Sequence, residues 1–299
     1  MTRTRLTALL AQIAFAIGIA PALGPSTAFA AKKDKKDPKK DAAAEAKPAG
    51  DEKPFDTVIK DFETVSGLFT FYRRVEDGKV YMELTPAQLD KMFLFAASLD
   101  QAGGERGFYA AQQLADFGCE FKRVGKSIHW VRKNTSFTTA AGTAQTKAIQ
   151  KSFPDAIMSS AKIASQPHPE RKSILIDAQE LFGSRDLPGF AVGLSQAYEP
   201  TKFSFDKERS SVRGIHGFPE NVLIDVFLHY TTDDLKVPSI TLADGRSLPA
   251  MVKYSLSAVP TASTYKPGLA DDRVGHFLVV HQDFSSDESK TPYVRYITR

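Results

Sequence analysis

The chain has a single cysteine, Cys119, in 299 residues. One thiol closes no internal disulfide, so a covalently stapled scaffold is excluded and stability has to come from burial. Within Gly118-Cys119-Glu120-Phe121 the thiol reads as a small buried hydrophobe rather than a ligand offered to a metal. Also missing is any His-Glu-x-x-His, the helical spacing that aims two imidazoles at one zinc ion. The six histidines are His129, His168, His216, His229, His276 and His281. The nearest pair, His276 and His281, would point to opposite faces of a strand and lie roughly 16 Å apart along it, and all six read as structural. Gly103-Gly104-Glu105-Arg106-Gly107 lacks the Lys-Ser/Thr of a phosphate loop and reads as a turn or mobile loop. Asp283, Asp287 and Glu288 lack the spaced loop and glycine of a calcium site and read as a solvated acidic turn.

No charge of one sign dominates either. The net charge of +4 comes from 39 basic and 35 acidic residues. Two of the basic residues lie before residue 31, and eight basic and six acidic residues lie in 31–53, which leaves the remainder neutral. A nucleic-acid partner therefore loses its electrostatic footprint.

What is present begins with a leader. Arg3 and Arg5, a mostly apolar run over 6–23, and Ala28-Phe29-Ala30 before Ala31 have the layout of a cleavable export signal over residues 1–30. Cleavage is expected between Ala30 and Ala31. Gln12, Gly18 and Pro21 interrupt the run, and Gly24-Pro25-Ser26-Thr27 ends it short of a comfortable bilayer span, so a membrane anchor is the weaker reading. With no cysteine at the new N-terminus, lipid attachment is excluded. The expected location is exported, periplasmic or extracellular, with no stable membrane span after cleavage. Residues 31–53 are Lys, Asp, Ala, Pro and Glu with almost no large apolar side chain, a disordered charged linker by composition.

Residues 54–299 are ample for one β-rich domain with room for two subdomains. Alternation and turn chemistry predict a hairpin over 68–84 closed at Asp77-Gly78, and a second over 119–133 closed at Gly125-Lys126. Thr85-Pro86-Ala87-Gln88 has the composition of a capping box. The apolar run 92–97 predicts a strand covered on both faces, and 144–164 a helix interrupted by Pro154. Residues 173–177 read as strand, 178–182 as one or two helical turns, and 222–230 as the clearest strand of the chain. A third hairpin is expected from 240–242, Asp244-Gly245 and 252–259, with further strands over 276–283 and 293–299. Without βαβ alternation, these elements point to an α+β fold, predominantly antiparallel β with a few short helices. The strand-like ending at Arg299 is read as a cut, with the chain continuing beyond it.

Two tempting constellations fail, one on spacing and one on its frame. Asp225 and His229 share a strand face but lie roughly 13 Å apart, too far for proton transfer. Gly193-Leu194-Ser195-Gln196-Ala197 is close to a nucleophile elbow, yet alanine replaces the last glycine and no parallel α/β frame supports it; a serine hydrolase centred on Ser195 is kept as a remote alternative.

One stretch carries a family resemblance. Tyr265-Lys266-Pro267-Gly268-Leu269-Ala270-Asp271-Asp272-Arg273-Val274-Gly275-His276-Phe277, followed by 293–299, resembles the junction segment of exported bacterial zinc-dependent metalloproteases, in which Asp271, Arg273, Val274, Gly275 and Phe277 carry the motif. Shorter agreements are Gly67-Leu68-Phe69-Thr70, Val80-Tyr81-Met82-Glu83, 118–132, 174–182, Arg209-Ser210-Ser211 and Phe218-Pro219-Glu220-Asn221. In that family an N-terminal domain of unknown function precedes a catalytic domain carrying His-Glu-x-x-His. The resemblance implies a non-catalytic accessory domain that assists substrate engagement or organises a downstream protease domain. It implies no cofactor in this chain, with zinc held only by the downstream domain, and as partners that catalytic domain and a polypeptide substrate. No catalytic residue carries over, because the metal motif is absent. The competing reading from the residues is a free-standing envelope binding module that uses sheet edges and aromatic faces.

Overall fold

A one-turn helix α1 (Phe55–Val58) and strand β1 (Glu63–Val65) lead into β2 (Thr70–Arg73), which reverses through Asp77-Gly78 into β3 (Val80–Leu84). Gly78 sits at φ +70°, a region that suits glycine. The computed structural model describes residues 52–260, 268–271, 273, 275, 277–285 and 293–297. The expected export signal with Ala30 and Ala31, and nearly all of the linker, lie outside these. Thr85 caps the short turn Pro86–Gln88 through the expected reciprocal capping box.

Next come β4 (Phe93–Gln101), β5 (Gln113–Val124), β6 (Ser127–Arg132), the two-residue β7 (Phe137–Thr138), helix α2 (Ala144–Ser152) and β8 (Ala156–Lys162). The second half of the chain supplies β9 (Ile174–Asp177), a π-helical turn at Gln179–Gly183, α3 (Phe190–Ala197) and β10 (Ser204–Phe205). It ends with β11 (Ser211–Gly217), β12 (Asn221–Thr231), β13 (Ser247–Ala258), β14 (Leu278–Asp283) and β15 (Tyr293–Ile297). The fold is mainly antiparallel β with short helices, the expected class. An eight-stranded sheet runs β10-β12-β13-β4-β5-β6-β8 with β11 also paired to β12; a four-stranded sheet runs β1-β2-β3-β9; a three-stranded one runs β15-β14-β7.

Three expectations need correction. The apolar run at β4 is not covered on both faces: Phe93, Phe95, Ala97 and Leu99 are buried, whereas Leu94 is 45 % exposed. Residues 144–164 are not one interrupted helix. After Pro154 the chain becomes strand β8, because a proline there breaks the helical hydrogen bonding and the following residues find an open partner in β6. The third hairpin is also rearranged: β13 pairs along its whole length with β12, not with 240–242, since β12 offers an eleven-residue partner in register.

The large and small sheets pack face to face. Phe69 of the small-sheet side meets Phe93 and Phe121 at ring distances of 4.9 and 5.7 Å. Trp130, fully buried, packs on Phe95 at 4.8 Å and on Phe182 of the π-turn at 5.4 Å. Truncating a residue so placed to Ala costs about 3–5 kcal/mol. Val222, Ile224, Val226, Leu228 and Tyr230 all line the core from β12, as the alternation predicts. On the outer side of the small sheet, Phe55, Tyr72 and Leu175 form a second apolar cluster under α1.

The backbones make one unusually close approach. A Cβ on Gly217 would lie 2.2 Å from Ser66 O, and one on Gly67 would lie 2.7 Å from Phe218 N. Leu68 N donates to Phe218 O at 2.7 Å across the same junction. Glycine is required at both positions because the obstacle is main chain, which does not move aside.

Candidate functional site

Burying one face of the large sheet leaves the other to be covered or used. Across β13, β4, β5, β6 and β8 that face forms a trough of about 940 Å³, roughly 19 Å long at the usual strand spacing. Its lining combines the small side chains of Ser255, Ser257, Ala96 and Gly118 with the larger Met92, Leu94, Phe117 and Met158. Two charges at the trough have no ion-pair partner among the described residues. Asp116 is exposed, and the Arg132 guanidinium lies 4.8 Å above the Phe117 ring. Neighbouring Lys133 is committed, to Asp155 at 2.6 Å and Glu120 at 3.5 Å. Strand β8 closes the trough on one side and pairs only with β6; beyond it the single bridge Ile163 to Ile176 reaches the small sheet. Ile157, on that edge strand, is 58 % exposed.

The second open surface is the three-stranded sheet. Leu278, Val279 and Val280 of β14 are successive residues and therefore alternate between faces, yet all three are exposed. Phe277 and Leu269 beside them are 90 % and 71 % exposed. The sheet is tied to the body by two parallel pairs between β14 and β7 and by stacking of Phe137 on Phe153 at 3.6 Å. Of the junction residues, Asp271 binds Arg273 through both carboxylate oxygens, Gly275 has open space around it, and Phe277 is exposed. Val274 lies outside the described residues.

Buried polar groups were harder to foresee. Glu83 accepts from Tyr72 Oη at 2.7 Å, Ser173 Oγ at 2.5 Å and Arg171 Nε at 2.9 Å. Burial alone pushes its carboxyl up; the hydrogen bonds from Ser173, Tyr72 and Arg171 outweigh it, and the group ends below the ordinary value of 4.5. Glu105 lies in a turn, one of the two forms expected of this segment, yet is only 7 % exposed. Its carboxylate accepts from Tyr198 Oη at 2.5 Å, from Ser239 Oγ and from Ile240 N. Three donors from two other segments hold this loop down, which glycine content alone does not reveal.

Ser195, on α3, uses its Oγ to accept the Phe203 N–H at 3.1 Å, and no histidine is among its hydrogen-bond partners in the described residues. Asp225 likewise binds His216 at 2.9 Å and Lys253 at 2.6 Å, not His229. His229 belongs to another set. Its Nδ1 lies 3.0 Å from Asp206 Oδ2 and its Nε2 lies 2.8 Å from Ser247 Oγ. Asp206 precedes the short turn Lys207–Arg209 and accepts the Glu208 and Arg209 N–H groups. Ser247 opens β13 and His229 lies near the end of β12, so the pairing of these strands brings them together. No sequence spacing announces this set, since its three members come from three segments.

No group of three or more His, Cys, Asp or Glu side chains placed for a metal occurs among the described residues. Cys119 is fully buried and its thiol is pushed up to about 12 by burial.

The model of a family described as a domain of unknown function, DUF5118, matches residues 52–102. A second, described likewise as a domain of unknown function, DUF5117, matches residues 111–299. No curated protein and no solved structure matches the chain. The two matched segments are not two structural bodies: β4, in the first, is hydrogen-bonded between β13 and β5 of the second. By the extent of the second match, covering well over half of its length, the chain belongs to the DUF5117 family.

Proposed function

We propose that this chain is the accessory, N-terminal part of an exported zinc-dependent metalloprotease, contributing a docking surface and a substrate-engaging face while the zinc chemistry resides in a downstream domain. The observation that carries this reading is β14, whose apolar residues are open on both faces. A strand of that composition is stable in water only at a cost of about 25 cal/mol per Å² of apolar surface left uncovered, which a partner domain recovers. The resemblance of the segment around Asp271, Arg273, Gly275 and Phe277 to a protease junction supports the same assignment. Blotting the exported fraction of the producing cells with an antibody to residues 54–260 tests it. The expected species is much larger than 32.8 kDa and co-migrates with chelator-sensitive peptidase activity; a sole species at fragment size, with no such activity, contradicts it.

A second reading, a free-standing envelope binding module, draws on the trough and the open edge of β8. Both suit an extended segment laid against a sheet. Filling the trough by Ala96→Trp then abolishes ligand capture without changing the melting temperature, whereas the accessory reading leaves the isolated chain without a ligand of its own.

A further inference from the structure

We infer that Ser247 is a base-activated nucleophile, with His229 as its general base and Asp206 as the residue that positions the base. This goes beyond the accessory reading and depends on none of it.

Proton placement fixes the three roles. Asp206 is the acceptor of two backbone N–H groups and of the Arg209 guanidinium at 2.5 Å, which together hold it ionised. An ionised carboxylate only accepts, so the hydrogen between Asp206 and His229 has to sit on Nδ1. In the neutral imidazole, Nε2 is then a bare lone pair 2.8 Å from Ser247 Oγ, and the serine hydroxyl donates to it. This is the orientation in which a histidine removes a proton from a serine.

The frame around the relay is stiff. Asp206 N donates to His229 O at 2.8 Å, His229 N donates to Ser210 Oγ at 3.0 Å, and Ser210 Oγ donates to Asp206 O at 2.7 Å. The imidazole is 9 % exposed and Asp206 11 %, while Ser247 is half-buried at the start of its strand. The base is thus shielded, and Ser247 keeps part of its surface exposed.

The chemistry follows with its atoms balanced. Ser247 Oγ forms a bond to the carbonyl carbon of an acyl donor as its proton passes to His229 Nε2. The bond to the leaving oxygen breaks, and that oxygen takes the proton from His229. Water repeats the sequence on the acyl-serine and releases the acid. The Ser247 N–H is committed to Asp244 O at 3.0 Å and does not stabilise the developing oxyanion. The substrate class is therefore activated esters with good leaving groups, not amides.

The test uses the mature chain, a fluorophosphonate-biotin probe and p-nitrophenyl acetate. Expected are a probe adduct on the peptide containing Ser247 and nitrophenolate release that falls at least about 100-fold in Ser247→Ala. Ser195→Ala leaves both unchanged. Asp206→Asn, which removes the charge that fixes the tautomer, slows labelling while the melting temperature holds. Absence of an adduct on Ser247 in the folded wild-type chain overturns the inference, as does an adduct rate unaltered by His229→Gln.

Discussion

At the scale of single residues, the buried Glu83 carboxylate lies where partners are waiting. Glu83 is buried at a junction of segments and satisfied by three donors, so Glu83→Ala is expected to lower stability by about 2–3 kcal/mol in urea titrations, mainly by leaving the Tyr72 and Ser173 hydroxyls unpaired. The folded carboxyl titrates below its ordinary value of 4.5, so its stabilisation is complete above about that pH and is lost as the pH falls through the lower folded value. Urea midpoints measured downward from pH 7 should therefore drop less steeply in Glu83→Gln than in wild type. Cys119, protonated and enclosed, should give no reaction with an aromatic disulfide reagent at pH 8 until urea unfolds the chain, when one thiol titrates. Its burial was legible in the sequence, from one apolar neighbourhood. The partners of Glu83 and the set at His229 were not, because a hydrogen-bond partner 11 to 90 positions away leaves no local pattern.

At the scale of elements, period-two alternation and turn chemistry carried most of the reading. Asp77-Gly78 and Gly125 did what their backbone freedom suggests, and β12 buried the face that its alternation marks. Failures came where the pattern is ambiguous. Strand β8 is made of Ala, Ser and Met as well as Ile, residues that fit a helix equally well, and only the open edge of β6 decides. Likewise β4 reads as uniformly apolar because Leu94, Ala96 and Ala97 give no polar alternation, although one of its faces looks into the trough. The same scale holds the case of β14. Substituting Leu278 and Val280 by Lys should change unfolding free energy by less than about 0.5 kcal/mol, since neither side chain is buried. Sedimentation of the isolated chain should at the same time show less self-association, and a large loss of stability would mean that these residues are packed.

At the scale of the whole molecule, two families of sequence meet in one sheet. Removing residues 52–102 deletes β4 and exposes β5 and β13 as raw edges, so the fragment 111–299 is expected to show no cooperative melt by circular dichroism. Gly217→Ala, at the main-chain contact that joins the two sheets, should cost about 1–3 kcal/mol because the added Cβ meets Ser66 O, which does not move aside. Among the described residues, two sheets pack face to face, and the antiparallel pair of β14 and β15 belongs to a third, smaller one. Amide hydrogen exchange across Leu278–Asp283, in the chain alone and in the longer polypeptide with a downstream protease domain that we propose, tests most directly whether that strand is built to be covered. Exchange there is expected to slow at least tenfold in that longer polypeptide; equal exchange in the two would contradict a covered β14.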